Sequence, residues 1–397
     1  MLRNLATVGR IFVQRSHIPS PAFRRILVIK PDHLGDVLLI TPALRFLRTY
    51  HPRAAIVALV GPWSAPVLAH NPDINALLTL PFPGFERGHP PHPRPSRSHP
   101  FLRLLHAAAL LRAGDFDTAL LLRDDHWWGA ALALLAGIPH RVGHAVPECG
   151  PFLTKALPWN PAQHVTRQAL EVVTEERQRR ATASPSAGSP PLVFLPPPGD
   201  VAWAAAWLAQ HGLACDPATR RVTPPLVILH PGTGGTSKLW LPERWAAVVN
   251  ALTAQYPIRV LLTGGPGEAT LVQNIARLLH HPVLALVSTT SIGQLTALLG
   301  MAALVMGVDS GPLHLAVSQA TPSLHLFGPG SAERFGPWGD RQRHRVLRAD
   351  LWCAPCGVLN ACPRGTNPSE CMAALSTEQV VQAARCLLEQ EGMGVAG

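Results

Sequence analysis

Residues Leu226–Lys238 read LVILHPGTGGTSK. The opening run, Leu226–His230, is apolar and includes β-branched residues, as a parallel strand covered on both faces requires. It breaks at Pro231, passes through three glycines and reaches Lys238, and a helical pattern follows at Pro242–Gln255. This strand–turn–helix unit repeats outward. Arg259–Thr263, Ala303–Gly307 and Ser323–Phe327 read as strands; Glu268–Leu279 and Ile292–Gly300 read as helices, His314–Gln319 as a helix start, and Thr377–Gln390 as the closing helix. The amino half follows the same pattern. Arg25–Lys30 (RILVIK) is a strand broken by Pro31, and Val37, Leu38, Ile40, Leu44 and Leu47 then carry helical spacing. Ala55–Val60, Ala76–Leu80 and Thr118–Leu122 are further strands, and Trp128–Ala136 a helix. Strands alternating with helices predict an α/β fold with a parallel sheet in each half.

The chain of 397 residues suits two such domains. A basic leader (1–24) precedes a first domain (25–176). A Pro-rich linker region (177–223) leads to a second domain (224–397) that carries a cysteine cluster and the closing helix. The leader reads either as a weakly amphipathic basic helix lying on a membrane surface or as a frayed extension. Glu86–Pro100 (ERGHPPHPRPSRSHP) is too rich in proline for regular structure, and reads as a flap or a tolerated insertion. Two α/β halves joined in this way suit a cleft enzyme whose ligand lies between the carboxyl ends of two sheets.

Hydrophobic residues make up 47% of the chain and charged residues 15%, which excludes global disorder. Lys plus Arg number 34 against 24 Asp plus Glu, and only Lys30, Lys155 and Lys238 are lysines. The +10 balance favours anionic partners: phosphorylated metabolites or an acidic membrane surface. Dispersed charge and the lack of RRM, helix-turn-helix or finger spacing argue against nucleic acid. No run approaches the ~20 apolar residues of a membrane span. Seven cysteines are too few for a disulfide scaffold, which points to the cytosol.

Several turns carry chemistry. In His230–Lys238 the glycines let backbone approach a ligand, while Thr233, Thr236 and Ser237 bring hydroxyls and Lys238 a charge. Together with Gly234 these make a phosphate cradle; the alternative is a Gly-rich turn with no ligand. At Asp309-Ser310-Gly311-Pro312 a helix begins, with His314 just inside it. Capping alone explains these residues, or the free N–H groups of the helix terminus hold an anion. Glu268 either accepts from ribose hydroxyls or simply starts its helix. Asp32, His33 and Asp36 follow the first strand. Read alone, Asp36 is first a helix cap, although a carboxylate there also takes a proton from a hydroxyl nucleophile when geometry brings them together. Arg123, Asp124 and Asp125, followed by His126-Trp127-Trp128, read as a sugar-contacting set or as a charged loop over buried tryptophans. Cys353, Cys356, Cys362 and Cys371 suit a structural zinc site, an iron–sulfur centre, redox-active or free thiols, or disulfides.

Four segments occur together in order: KPDHLGDVLLITPALRFLR (30–48), HPGTGGTSKLWLPERW (230–245), TSIGQLTALLGMAALVMGVDSGPLHLA (290–316) and LFGPGSAERFGPWG (326–339). They resemble glycosyltransferase family 9, the ADP-heptose:lipopolysaccharide heptosyltransferases. The likeness runs from about Arg25 to the closing helix and omits the leader, the Pro/His/Arg segment and the linker. It implies a GT-B fold of two Rossmann-like domains facing a cleft, and inverting transfer from a nucleotide-diphospho-heptose without a catalytic metal. It further implies that Asp36 is the general base and that Lys238, with Thr233 and Ser237, holds the diphosphate. Asp309 would bind sugar hydroxyls, Ser310 and Gly311 the phosphate, Glu268 the ribose, and the backbone of Leu286–Ser288 the adenine. The acceptor would be a saccharide or glycolipid reached from the cytoplasmic side of an anionic membrane. Other readings are a GT-B transferase using a different nucleotide sugar, an epimerase of the same fold, and a non-catalytic nucleotide-sugar-binding protein. The KPDHLGD and GVDSGP segments speak against the epimerase.

Overall fold

The computed structural model describes residues 24–85, 99–174 and 190–394. The predicted leader, most of the Pro/His/Arg segment and the first part of the linker lie outside them. The chain divides into two compact units, Met1–Pro190 and Pro191–Gly397.

In the first unit the strands are β1 (Arg25–Lys30), β2 (Ala55–Val60), β3 (Ala76–Thr79), β4 (Thr118–Leu121), β5 (His140–His144) and β6 (Lys155–Leu157). The helices are α1 (Leu34–Leu38), α2 (Thr41–Tyr50), α3 (Ala65–Leu68), α4 (His99–Arg112), α5 (Trp127–Leu135) and α6 (Val165–Thr174). The sheet order is β3-β2-β1-β4-β5-β6, with every pairing parallel. Ile26 to Lys30 are all buried, because helices cover both faces of the central strand. Leu27, Ile29, Val57, Leu59 and Leu121 pack with Leu104, Leu111 and the apolar face of α5. Each fully buried aliphatic side chain of this kind contributes about 1.5–3 kcal/mol.

The second unit begins with α7 (Pro198–Gln210) and a small antiparallel pair, β7 (Ala214–Cys215) and β8 (Val222–Thr223). Its main strands are β9 (Leu226–His230), β10 (Arg259–Gly264), β11 (Leu284–Val287), β12 (Leu304–Val308), β13 (Ser323–Phe327) and β14 (His344–Arg348). The helices between and after them are α8 (Pro242–Gln255), α9 (Ala269–Arg277), α10 (Ile292–Met301), α11 (Gly311–Ser318), α12 (Ala332–Phe335), α13 (Glu370–Ala373) and α14 (Thr377–Gln390). The order β11-β10-β9-β12-β13-β14 repeats that of the first sheet, again all parallel. In each sheet the order reverses at the first strand, and the crevice beyond the carboxyl ends there is where open α/β sheets bind ligands.

Two expectations change. The linker region does not extend to 223: α7 packs on α10 and belongs to the second unit, with Pro198 in its first turn supplying a ready-made φ. The irregular segment does not reach Pro100, because α4 begins at His99. Among the described residues no helix is long and apolar enough to cross a membrane.

Candidate active site

At the switch point of the first sheet, β1 delivers Lys30, Pro31 and Asp32 into a nearly closed environment, with Lys30 4% and Asp32 2% exposed. Lys30 Nζ lies 3.0 Å from Asp32 Oδ2 and donates to the Leu122 carbonyl at 3.1 Å. Arg123, beyond β4, pairs with the other Asp32 oxygen and reaches Asp125 Oδ2 at 3.0 Å. Its guanidinium lies 5.0 Å from the centre of the Phe85 ring. Burial works against the Asp32 charge, but Lys30 and Arg123 hold its carboxyl below the ordinary carboxylate value. Burial likewise opposes the Asp125 charge, which Arg123 restores. Asp124 accepts from Trp159 Nε1 at 2.7 Å.

Asp36 is not the cap of α1. His33 occupies that position and Asp36 sits in the first turn, half-exposed, where a negative charge is favoured by the helix dipole. His33, Trp63 and Phe85 form a ring cluster with centroids 5.9–6.4 Å apart. Trp63 Nε1 donates to the Asp32 carbonyl at 2.9 Å. His126 caps α5 by accepting from Gly129 N–H, and burial pulls its pKa down to about 4. Lys30, Trp63 and Phe85 were not identified from sequence as site residues. The available signal was position alone, since each follows or ends a strand at the carboxyl edge.

In the second unit, β9 ends at His230 and the glycine turn leads into a 3-10 turn at Thr236–Lys238. Lys238 Nζ donates to the Asp309 carbonyl at 2.8 Å and lies 3.1 Å from its carboxylate. Thr233 Oγ1 donates to the same carbonyl at 3.1 Å. The loop after β9 is thus tied to the start of α11. Ser310 takes the cap position of α11 without a side-chain cap bond, and its hydroxyl is buried without a hydrogen-bond partner among the described residues. Gly234 is exposed on the turn and Gly311 half-exposed at the helix start. Gly265 N–H donates to Glu268 at 2.6 Å, and the carboxylate lies 3.8 Å from His230 Nε2. It lies so close over Gly232 that a Cβ there would fall 2.0–2.2 Å from it. Leu286–Ser288 close β11, with Ser288 in the left-handed region (φ 55°).

Three groups of expected site residues are engaged or buried here. Thr236 and Ser237 do not present free hydroxyls: Thr236 donates to the Asn360 carbonyl and Ser237 to the Val358 carbonyl at 2.8 Å. Ser237 N–H also donates to Leu359 at 3.1 Å, so the cysteine-bearing loop lies against the glycine turn. His314 is 4% exposed, its ring 6.1 Å from that of buried His325. The four cysteines of the expected metal site share one loop region, where burial raises the Cys371 pKa and Cys356 and Cys362 lie close enough to add to that rise. All are free thiols, and among the described residues no group of three or more His, Cys, Asp or Glu side chains is placed to hold an ion. Cys371 is buried on α13, whereas Cys356 is exposed and Cys353 and Cys362 half-buried. Hydrogen bonds from Thr366 and from backbone amides draw the Cys362 thiol down to about 7.

A sequence profile of glycosyltransferase family 9 (heptosyltransferase) matches residues 104–362. The chain belongs to glycosyltransferase family 9. It is 27% identical over 313 residues to lipopolysaccharide heptosyltransferase 3 of Escherichia coli, covering 77% of this chain and 84% of that one. A family 9 glycosyl transferase from Veillonella parvula superposes with a TM-score of 0.76 at 23% identity, covering 94% of this chain and all of that one. The E. coli ADP-heptose lps heptosyltransferase II superposes at 0.68 and 20% identity, covering 93% and 99%. The family 9 chain therefore has the GT-B fold expected from its motifs and is a glycosyltransferase.

Proposed function

We propose that this family 9 enzyme moves a heptose from an ADP-heptose donor to a hydroxyl of a lipopolysaccharide-type glycolipid, with inversion at the anomeric carbon. The observation that carries the reading is the Lys238–Asp309 pair at the start of α11. A cation is held in place beside a helix N-terminus and beside a buried hydroxyl that lacks a partner among the described residues. Such a terminus is suited to a diphosphate. Names of relatives point the same way: a lipopolysaccharide heptosyltransferase by sequence and an ADP-heptose enzyme by fold.

In this reading the Asp36 carboxylate takes the proton of the acceptor hydroxyl. The freed oxygen pair forms the new bond to the anomeric carbon as the bond to the diphosphate oxygen breaks. Lys238 and the N–H groups of Ser310 and Gly311 take up the charge that develops on departing ADP. In the same reading Glu268 accepts from the ribose hydroxyls and the backbone of Leu286–Ser288 meets the adenine. These protein groups provide the positive field, so transfer is expected to persist in EDTA. Asp32, His33, Arg123, Asp124 and Asp125 border the acceptor, which is reached from the cytoplasmic face of an anionic membrane by peripheral contact.

The test is transfer from ADP-heptose by the wild type, Asp36→Asn and Asp36→Ala, with ADP binding measured in parallel. Removing a general base costs about 10²–10⁴ in kcat. Both variants are expected to lose about that much while binding ADP normally. Activity within tenfold of wild type in Asp36→Ala would remove Asp36 from the mechanism, and failure to turn over ADP-heptose would remove the donor assignment.

A further inference from the structure

Helix α4 is apolar on both sides. Leu104, Ala107, Ala108 and Leu111 are buried against the first unit's core. Leu102, Leu105 and Leu110 are 62%, 56% and 64% exposed, and Ala109 is exposed beside them. Their spacing of 0, 3, 7 and 8 residues lays them along one stripe of the helix. Exposed His106 lies among them, and a row of solvent-facing leucines marks a surface with a partner. The helix has no acidic residue, and Arg103 and Arg112 bracket the leucines, each giving one of its N–H groups to a backbone carbonyl, Pro81 and Leu135 at 2.7 Å, with further N–H groups left for phosphate oxygens.

The first two turns of α4 are tied to the functional edge of the sheet. Arg103 Nη1 donates to the Pro81 carbonyl at 2.7 Å, and Trp128 Nε1 to the Pro100 carbonyl at 3.1 Å. Pro81 follows β3 and Trp128 follows β4, so the stripe starts at the edge that holds Asp32, Arg123 and the ring cluster.

We propose that the Leu102–Leu105–Leu110 stripe of α4 is the surface by which the protein lies on an anionic bilayer, leucines in the acyl boundary and arginines at headgroup phosphates. Charge selects a bilayer over a second copy of the chain. A self-complementary pairing of α4 helices would set arginine against arginine with no acid on either helix, whereas lipid phosphates satisfy them. The proposal rests on the glycolipid-acceptor reading above, which it extends by bringing the acceptor edge of the sheet to the membrane that holds the acceptor.

The test is flotation of the full chain with vesicles of phosphatidylglycerol and phosphatidylcholine, and with phosphatidylcholine alone. Wild type is compared with a Leu102→Ser/Leu105→Ser/Leu110→Ser variant. Wild type is expected to float with the anionic vesicles, less so as salt rises, and the variant at least about tenfold less, with an unchanged or higher Tm. Wild-type flotation with neither vesicle, or equal flotation of the variant, would overturn the proposal. So would a dimer in light scattering that the variant dissociates without loss of flotation, since a second copy would then cover the stripe. Transfer to a lipid-free saccharide separates the two readings. It is expected to be unchanged in the variant, whereas its absence in the wild type would count against heptosyl transfer and leave the flotation result standing.

Discussion

The two sheets share one strand order and each switch point holds a lysine–aspartate pair, yet what surrounds the pair differs. The first is filled with ionised side chains (Lys30, Asp32, Arg123 and Asp125) walled by His33, Trp63 and Phe85. The second sets the Lys238–Asp309 pair and Glu268 among glycine backbone, hydroxyls and a helix start. Phosphate oxygens are satisfied by N–H groups and a point charge, which need close backbone approach and hence glycine. Sugar hydroxyls and ring faces are satisfied by carboxylates and aromatics, which need side chains held rigid by their neighbours. One topology thus supports both kinds of recognition because the chemistry lies in the strand-end loops.

The comparison breaks most visibly at Lys238. Lys238→Met is expected to reduce kcat about 10²–10³-fold, the usual scale for losing one preorganised electrostatic group. An equal loss from Arg123→Met in donor binding would erase the division of labour.

Acid should weaken both units next. Buried His344 has its pKa pulled down to about 4 by burial and Arg343, and bonds to Ser323, which also holds His325. Above pH 6.5 such a histidine is neutral folded or unfolded, so it has no effect on stability. Below that the unfolded chain binds the proton first, so stability falls as pH drops from 6.5 to 4 and levels off beyond. For His344 the loss is roughly 3 kcal/mol. His126 acts in the same direction in the first unit, while the depressed pKa of Asp32 withdraws stability only below the ordinary carboxylate value. Denaturant titrations of wild type and His344→Gln across this range should show the variant with the flatter profile.

A third effect sharpens the first switch point. Arg123→Met leaves buried Asp32 with Lys30 alone, and a loss of about 2 kcal/mol is expected for a partly exposed partner of a buried charge. ADP affinity should be unchanged. A last comparison contrasts two glycines. A Cβ at Gly235 would lie 2.6 Å from the Leu359 carbonyl oxygen, which is backbone, whereas one at Gly232 meets only the end of the Glu268 side chain. Gly235→Ala should therefore cost about 1–3 kcal/mol in thermal unfolding. Gly232→Ala should cost less stability and instead raise the donor KM.

Much of this was readable in the chain itself. RILVIK and LVILH announce buried strands, and the glycines after His230 announce the turn where backbone must come close. The residues that complete the sites were not readable, because their partners are distant: Arg123 meets Asp32 across 91 residues and Trp63 meets it across 31. Thr236 and Ser237 looked like phosphate donors until carbonyls more than 120 residues later took their hydroxyls. Helix α4 went unrecognised because its apolar residues lie on all sides and give no single-faced period.

Sequence alone determined the strand–turn–helix repeats, the family and the candidate roles of Asp36, Lys238 and Asp309, since strand patterning and turn glycines are local properties. Only the tertiary structure decided that Asp36 lies inside its helix rather than capping it, that among the described residues no three of the cysteines are placed to hold an ion, and that a row of leucines faces outward. Those outcomes depend on which long-range hydrogen bonds, ion pairs and core contacts prevail, and no window of neighbouring residues contains them.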